Sequence, residues 1–166
     1  GSNAGDAMTT NNLCTLVGYG AGGALVGGDA SAVTAIGAYA FQGETDKGAG
    51  TVAVGYEALR NANAAVTTAG NTALGHQTGP AVTTGIFNTL VGYHAGNDLT
   101  TASGSVFVGH SAGGTATTGN MNIIIGYHAL TGAVTTGDNN IAIGASAGDA
   151  ITTTIGSIFI GKDAGG

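Results

Sequence analysis

Two five-residue stretches carry the letters of a serine hydrolase's nucleophile turn. Gly109 to Gly113 reads G-H-S-A-G and Gly144 to Gly148 reads G-A-S-A-G. Both match G-x-S-x-G, in which a serine sits on a strained strand-to-helix turn. Gly18 to Gly23 reads G-Y-G-A-G-G. That is the spacing G-x-G-x-x-G, where amides opening a helix receive a pyrophosphate. His76, His94, His110 and His128 recur at short intervals and are candidate metal or anion ligands. Cys14 stands alone, so no intrachain disulfide is possible.

Each of these chemistries needs a particular element around it, and the chain repeats something else. The slots of G-H-S-A-G read G-Y-H-A-G at Gly92 and G-K-D-A-G at Gly161. The serine position drifts while the glycines stay, so the glycines belong to a recurring turn. No helix period follows Gly18 to Gly23. No carboxylate recurs beside the histidines. The expectation is therefore no catalytic residue, no cofactor, no metal and no enzyme. The histidines read as polar rim residues of a turn shared with Tyr19, Tyr56, Tyr93 and Tyr127, and such a rim is where a ligand would be touched.

The recurring unit is found by setting one glycine as position zero. It returns at Gly18, Gly37, Gly55, Gly75, Gly92, Gly109, Gly126, Gly144 and Gly161, at nearly even intervals. A period of roughly 17–20 residues is the mark of a solenoid, in which stacked copies bury what one copy cannot. Position −1 is always aliphatic (Val17, Ile36, Val54, Leu74, Val91, Val108, Ile125, Ile143, Ile160). Position −3 is Thr, Val or Ile, as at Ile123, Ile141 and Ile158. Position −2 is also apolar, as at Ala53, Leu90 and Phe107. These are strand residues, and both strand faces are apolar. Asn or Ser often stands at −4, as at Asn71, Asn88, Ser105, Asn122, Asn140 and Ser157. Ala stands at +3 in eight copies, with Thr78 the exception. The glycine at zero predicts a left-handed turn.

A second segment follows each turn, as in Ala81 to Gly85, Asp98 to Thr101, Thr115 to Gly119, Ala133 to Gly137 and Ala150 to Thr153. Alternation predicts a second strand, with Val82, Leu99, Val134 and Ile151 inside and Thr83, Thr100, Thr135 and Thr152 outside. The expected fold is all-β: a parallel β-roll, or β-solenoid, of about nine two-stranded coils. A three-sided hexapeptide helix is rejected, because six and twelve positions after Val91 stand Asn97 and Ser103.

Composition agrees. Charged residues are 7 % and hydrophobic residues 43 % of the 166, with 33 glycines, too apolar for disorder. The net charge is −6 without a basic patch, which argues against nucleic acid as a partner. Apolar runs are too short to insert in a membrane. Residues 1–9, opening with G-S-N-A, read as an expression remnant or leader, and residues 10–166 as one repeat domain. The segment Gly22 to Ala32 carries an off-register L-V-G-G.

In the first strand, one face lines the roll and the other remains apolar. Nine coils at about 4.8 Å give a stripe roughly 43 Å long. At about 10 Å wide it exposes some 400 Å², the range that signals an interface. A second copy of the chain is the expected cover. A thin roll has room for the small residues Ala35, Ala53, Ala73 and Ala142 at −2, which assigns −1 and −3 to the interface: Val17, Ile36, Val54, Val91, Val108, Ile123, Ile125, Ile141, Ile143, Ile158 and Ile160.

The stretches N-T-L-V-G, N-N-I-A-I-G-A-S-A-G and G-T-V-A-V-G-Y-E-A-L resemble the head-domain repeats of trimeric autotransporter adhesins. They are also similar to repeats of phage tail-fibre proteins. The resemblance covers about residues 10–166. It implies a left-handed roll and a homotrimer with its inner strands at a three-fold axis, where copies of one His would meet as a metal or anion site. It also implies an extracellular setting, on a virion tail fibre or a bacterial surface. The function so implied is that of a structural and adhesive fibre module facing a host-surface receptor or glycan. The alternative is an ice-binding solenoid. Its outward Thr rows would order water, although T-T gives one outward Thr per coil where such faces usually carry two.

Overall fold

The computed structural model describes residues 1–9, 13–26, 32–43, 48–62, 69–132 and 135–166. They form a parallel β-solenoid without a helix. Nine strands stack in chain order into one parallel sheet: β1 (Thr15–Val17), β2 (Thr34–Ile36), β3 (Val52–Val54), β4 (Thr72–Leu74), β5 (Thr89–Val91), β6 (Val106–Val108), β7 (Ile123–Ile125), β8 (Ile141–Ile143) and β9 (Ile158–Ile160). The register matches the repeat residue for residue, as in Leu16 with Ala35 and Ala142 with Phe159.

Each strand is three residues long because a left-handed turn closes it. The zero-position glycines have φ between +122° and +143°. From Gly18 to Gly144, a Cβ at each would overlap the carbonyl of the next glycine in the column. Glycine is needed there both for its φ and for the close approach. Position +2 is left-handed in all nine coils, including Tyr39, Glu57, Gln77, His94 and Ser111. Alanines at +3, such as Ala58 and Ala112, are fully buried. Thr78 fits that slot because its hydroxyl donates to Gly92 O at 2.7 Å.

The core follows the −2 row. Ala35, Ala53, Ala73, Leu90, Phe107, Ile124 and Ala142 are completely buried. Their differing sizes are in part matched at +4. Beside Leu90 and Phe107 the +4 residue is glycine, and a Cβ on Gly113 would stand 2.6 Å from the Phe107 ring; beside Ile124 it is Leu130, also buried. Where −2 is the small Ala35 or Ala53, Phe41 or Leu59 fills +4 at the cost of a left-handed φ of 49° or 50°, a strain of about 1–3 kcal/mol. Neighbouring coils also trade volume. Gly79 lies under Leu59 and Leu90, and Gly148 under Leu130.

Side chains at −4 form a buried amide ladder along the axis. Asn88 N–H donates to Asn71 Oδ1 and Ser105 N–H to Asn88 Oδ1, at 2.8 and 3.0 Å. Asn122 N–H donates to Ser105 Oγ, Asn140 N–H to Asn122 Oδ1 and Ser157 N–H to Asn140 Oδ1. Each Asn side chain in turn donates sideways to a carbonyl of the next coil, as Asn122 does to Gly137 O at 2.9 Å. The ladder satisfies buried backbone N–H groups where the chain enters the sheet.

Two expectations are corrected. The second segment is not a strand among the described residues; it contributes isolated bridges, as in the parallel pair of Ala116 with Thr135. Single rungs hold it instead, such as Thr83 N–H to Thr100 O and Thr100 N–H to Thr117 O. Threonine hydroxyls donate to the same carbonyls at 3.2 and 3.1 Å, a local pattern that competes with a regular ladder. Val82, Leu99 and Ile151 do face inward, and Val134 lies outside the described residues. Thr135 is also inward, 1 % exposed, with its hydroxyl donating to Ile151 O. The step from Gly126 to Gly144 is one residue longer than the steps on either side, Gly109 to Gly126 and Gly144 to Gly161. Ala116 stands seven residues after Gly109 and its bridge partner Thr135 nine after Gly126, so Thr135 takes the inward slot that Ala116 and Ile151 hold in the flanking coils.

Residues 1–9 lie on the first coil. Gly1 lies against Gly18, where the glycine of a preceding coil would stand. Gly20 N–H donates to Ser2 O, and Gly5 N–H donates to Ala21 O. Met8 packs against the core. Leu25, inside the off-register segment, is fully buried.

The turn geometry makes a prediction. Gly109→Val places a β-branched residue at φ +135° against Gly126 and should cost more than about 2 kcal/mol. Ala112→Ser, able to bond as Thr78 does, should cost no more than about 1 kcal/mol. Urea melts of both variants decide; equal midpoints would remove the glycine column from its role.

Candidate functional site

Two surfaces come from the repeat positions that the core leaves unused. The first is the aliphatic stripe. None of the side chains assigned to an interface is buried. Exposure runs from 37 % at Ile125 to 67 % at Ile160 among the more open ones, while Val54, Val91, Val108, Ile141 and Ile143 are half-buried. The −2 neighbours on β2 to β8 are buried and those on β1 and β9 half-buried, so strand alternation alone produces the stripe. Parallel pairing then stacks it in register from β1 to β9.

The second surface follows the turn. Every tyrosine and histidine of the chain sits at +1 or +2 on the same edge: Tyr19, Tyr39, Tyr56, His76, Tyr93, His94, His110, Tyr127 and His128. The nine rings form one continuous column. His76 stacks on Tyr56 and on Tyr93 at 5.1 Å, and His110 on Tyr93 at 5.1 Å, with interplanar angles of 15–26°. Tyr93 also stacks on His94 within its own coil at 4.1 Å. The coil spacing sets these distances, since stacked strands repeat at about 4.8 Å. At the N-terminal end the packing changes. Tyr39 meets Tyr19 and Tyr56 edge-on, at 81° in both pairs.

A polar chain crosses the column. Arg60 Nη1 donates to Glu57 Oε1 at 2.7 Å, and Gln77 Nε2 donates to Glu57 Oε2 at 2.8 Å. Gln77 Oε1 is then the acceptor for His94 at 2.7 Å, which places a proton on His94 Nε2. The Gln77 amide holds the Glu57 carboxyl below the usual carboxylate range, with the Tyr56 hydroxyl and Arg60 adding to it. The same contact with Glu57 raises the Tyr56 phenol. Burial lowers the His94 pKa, helped by the neighbouring His76 and His110. The Arg60 guanidinium also lies 5.6 Å from the Tyr39 ring centre.

The stretches that resembled catalytic motifs are repeats of this turn. Ser111 and Ser146 are left-handed at φ 53° and 52°, as His94 is at the equivalent position, and the described residues contain no helix to complete a nucleophile elbow. Gly18 to Gly23 is the turn of the first coil. The four histidines do come together in the column, but no three His, Cys, Asp or Glu side chains among the described residues converge as a metal set. Cys14 is half-buried against the core. Sequence reading missed Tyr39 and the Arg60–Glu57–Gln77–His94 chain. The signal for Tyr39 was its position, the same +2 slot as His94 and His128. Comparison with protein-family models, with curated proteins and with solved structures finds no match to this chain.

The column makes acid sensitivity testable. The unfolded chain protonates His94 near its ordinary value of about 6.5, whereas the fold favours the neutral ring. Its contribution is therefore present above about pH 6.5 and is lost as pH falls through the lower folded value. Melting temperature should drop between about pH 7.5 and 5.5, and His94→Asn, which suits the left-handed turn, should shrink the drop. Identical pH profiles for the two proteins would exclude His94 as the source.

Proposed function

We propose that this chain is a module of an extracellular fibre, a left-handed β-roll assembled as a homotrimer through its −1 and −3 rows. In this reading it presents its turns to a host-surface receptor or glycan. The setting is a phage tail fibre or the head of a bacterial surface adhesin. The single observation that carries it is the aliphatic −1 row, unbroken over nine strands and joined at −3 by Val or Ile on β3 and on β6 to β9. A stripe in register on every coil is the kind of surface that a second copy covers, because symmetry gives each chain the same partner face. The resemblance of the strand-turn repeat to fibre repeats supplies the count of three and the hand. A rod of stacked coils with glycine turns is also suited to a mechanical, protease-resistant spacer.

The threonine row supports this reading over ice binding. Thr83 and Thr100 direct their hydroxyl protons to carbonyls of the next coil, and Thr135 is buried, which breaks an outward row. Purified protein should show neither thermal hysteresis nor inhibition of ice recrystallisation. Hysteresis abolished by Thr100→Tyr with Thr117→Tyr would reverse the order of the two readings.

Light scattering tests the assembly. Each buried Ile of the stripe contributes about 1.5–3 kcal/mol, so with one aliphatic stripe residue in every coil and two on β3 and β6 to β9 the isolated monomer should not be the stable folded species. The expected mass is three times 15.8 kDa, unchanged on dilution to micromolar protein. Ile125→Asp would gather like charges near one axis without partners and should dissociate or unfold the assembly. Thr117→Asp, on the other segment, should leave it intact. A well-folded wild-type monomer refutes the trimer.

A further inference from the structure

The ring column opens at its N-terminal end. From Tyr56 to Tyr127 the rings stack at interplanar angles of 4–26°. Tyr39 breaks this order by standing across the column, edge-on to both neighbours. In the coil before it, position +2 is Gly20, which carries no side chain to fill the space beside Tyr39. The result is a groove of about 480 Å³, within the range of small-molecule clefts, about 300–1,000 Å³. Tyr19 and Tyr39 line it together with Gln42, Arg60, Asn61 and Asp6.

We propose that this groove binds a neutral saccharide, packed by its apolar ring face against Tyr19 or Tyr39 and held through its hydroxyls by Gln42, Asn61, Asp6 and Arg60. The lining fits that class. A sugar ring presents a C–H face that suits an aromatic wall, and paired hydroxyls that act as donor and acceptor at once. Side-chain amides offer both roles, a carboxylate accepts and a guanidinium donates. Charge argues against an anionic ligand. Arg60 is already paired with Glu57 at 2.7 Å, Asp6 adds a negative charge to the lining, and the whole chain carries −6. The proposal rests on the adhesive part of the reading above and names its ligand class. It does not depend on the trimer.

The test titrates the purified protein in its native assembly with neutral oligosaccharides of glucose, galactose and N-acetylglucosamine. A heparin hexasaccharide serves as the anionic arm. Saturation-transfer NMR and calorimetry read the binding, and light scattering on the same sample reads the assembly. At least one neutral series should bind, with affinity in the millimolar range or better and transfer strongest at ring C–H protons. Tyr39→Asn keeps a residue that accepts a left-handed φ and should weaken binding roughly tenfold or more. Asn61→Ala alters an exposed side chain and should weaken it too. Tyr127→Ala, in a distant coil, should leave it unchanged. The proposal fails if no neutral series binds, if heparin alone binds, or if Tyr39→Asn and Asn61→Ala bind as wild type does. A trimer that binds no sugar overturns the groove and leaves the fibre; a sugar-binding monomer does the reverse.

Discussion

The close contact of one glycine with the next governs this molecule. At each zero position from Gly18 to Gly144 the chain turns with a strongly positive φ while the carbonyl of the following coil sits where a side chain would begin. No other residue meets both conditions. The contact ends each strand after three residues and sends the chain back along the opposite wall. It also brings position +3 so close to the axis that alanine fills it. Because the contact recurs on every coil, it sets the register for everything else. Strand pairs, amide ladder, threonine rungs and ring column all repeat because the glycines do.

Within that register, the interior tolerates different residues by exchange of volume. Position −2 varies from Ala53 to Phe107, a range that would leave voids or clashes in a core built coil by coil. The structure answers in part at +4, where Gly96 and Gly113 accompany Leu90 and Phe107, and Phe41 and Leu59 accompany Ala35 and Ala53. The left-handed backbone at Phe41, Leu59 and Leu130 is a local strain accepted because a buried side chain of that size stabilises more than the strain costs. Leu59 and Leu130 also reach toward the glycines at +4 of neighbouring coils, Gly79 and Gly148. The core is therefore one continuous column, and a substitution in one coil is felt in the next.

The glycine period, the burial of the −2 row and the exposure of the −1 and −3 rows were legible because each follows from spacing and strand alternation alone. The second strand was not, because T-T is a good strand sequence by propensity, yet its hydroxyls bond locally. Thr135 was misplaced because the longer step from Gly126 to Gly144 seats it nine residues after its glycine in the slot that Ala116 fills seven after Gly109, and nothing in the letters says where that length is absorbed. The role of Asn at −4 was visible only as a recurrence, since a ladder that passes from Asn to Ser and back depends on oxygen acceptors of two side-chain types in one place. The groove was invisible for a related reason. It arises from Gly20 lying beside Tyr39, a pair from successive coils that only the stacking brings together.

The same logic separates two surfaces. The fold commits positions 0, −2, −4 and +3 to glycine contact, core and ladder. That leaves −1 and −3 on one face and +1 and +2 on the turn. The first pair carries only strand-forming aliphatic and threonine side chains, which suits a dry contact between copies. The second carries every tyrosine and histidine, together with Glu57, Gln77, Lys162 and Asp163. Coil stacking turns any residue type repeated at one position into a ribbon along the axis, so a single short repeat writes two independent surfaces on the same rod. A change at +1 or +2 can alter what the edge contacts without touching the glycine column. A change at −1 or −3 acts on the stripe and spares the edge. The departures from regularity, Gly20 and the turned ring of Tyr39, lie on the edge where variation disturbs the fold least, and that is where a ligand groove can form without weakening the solenoid.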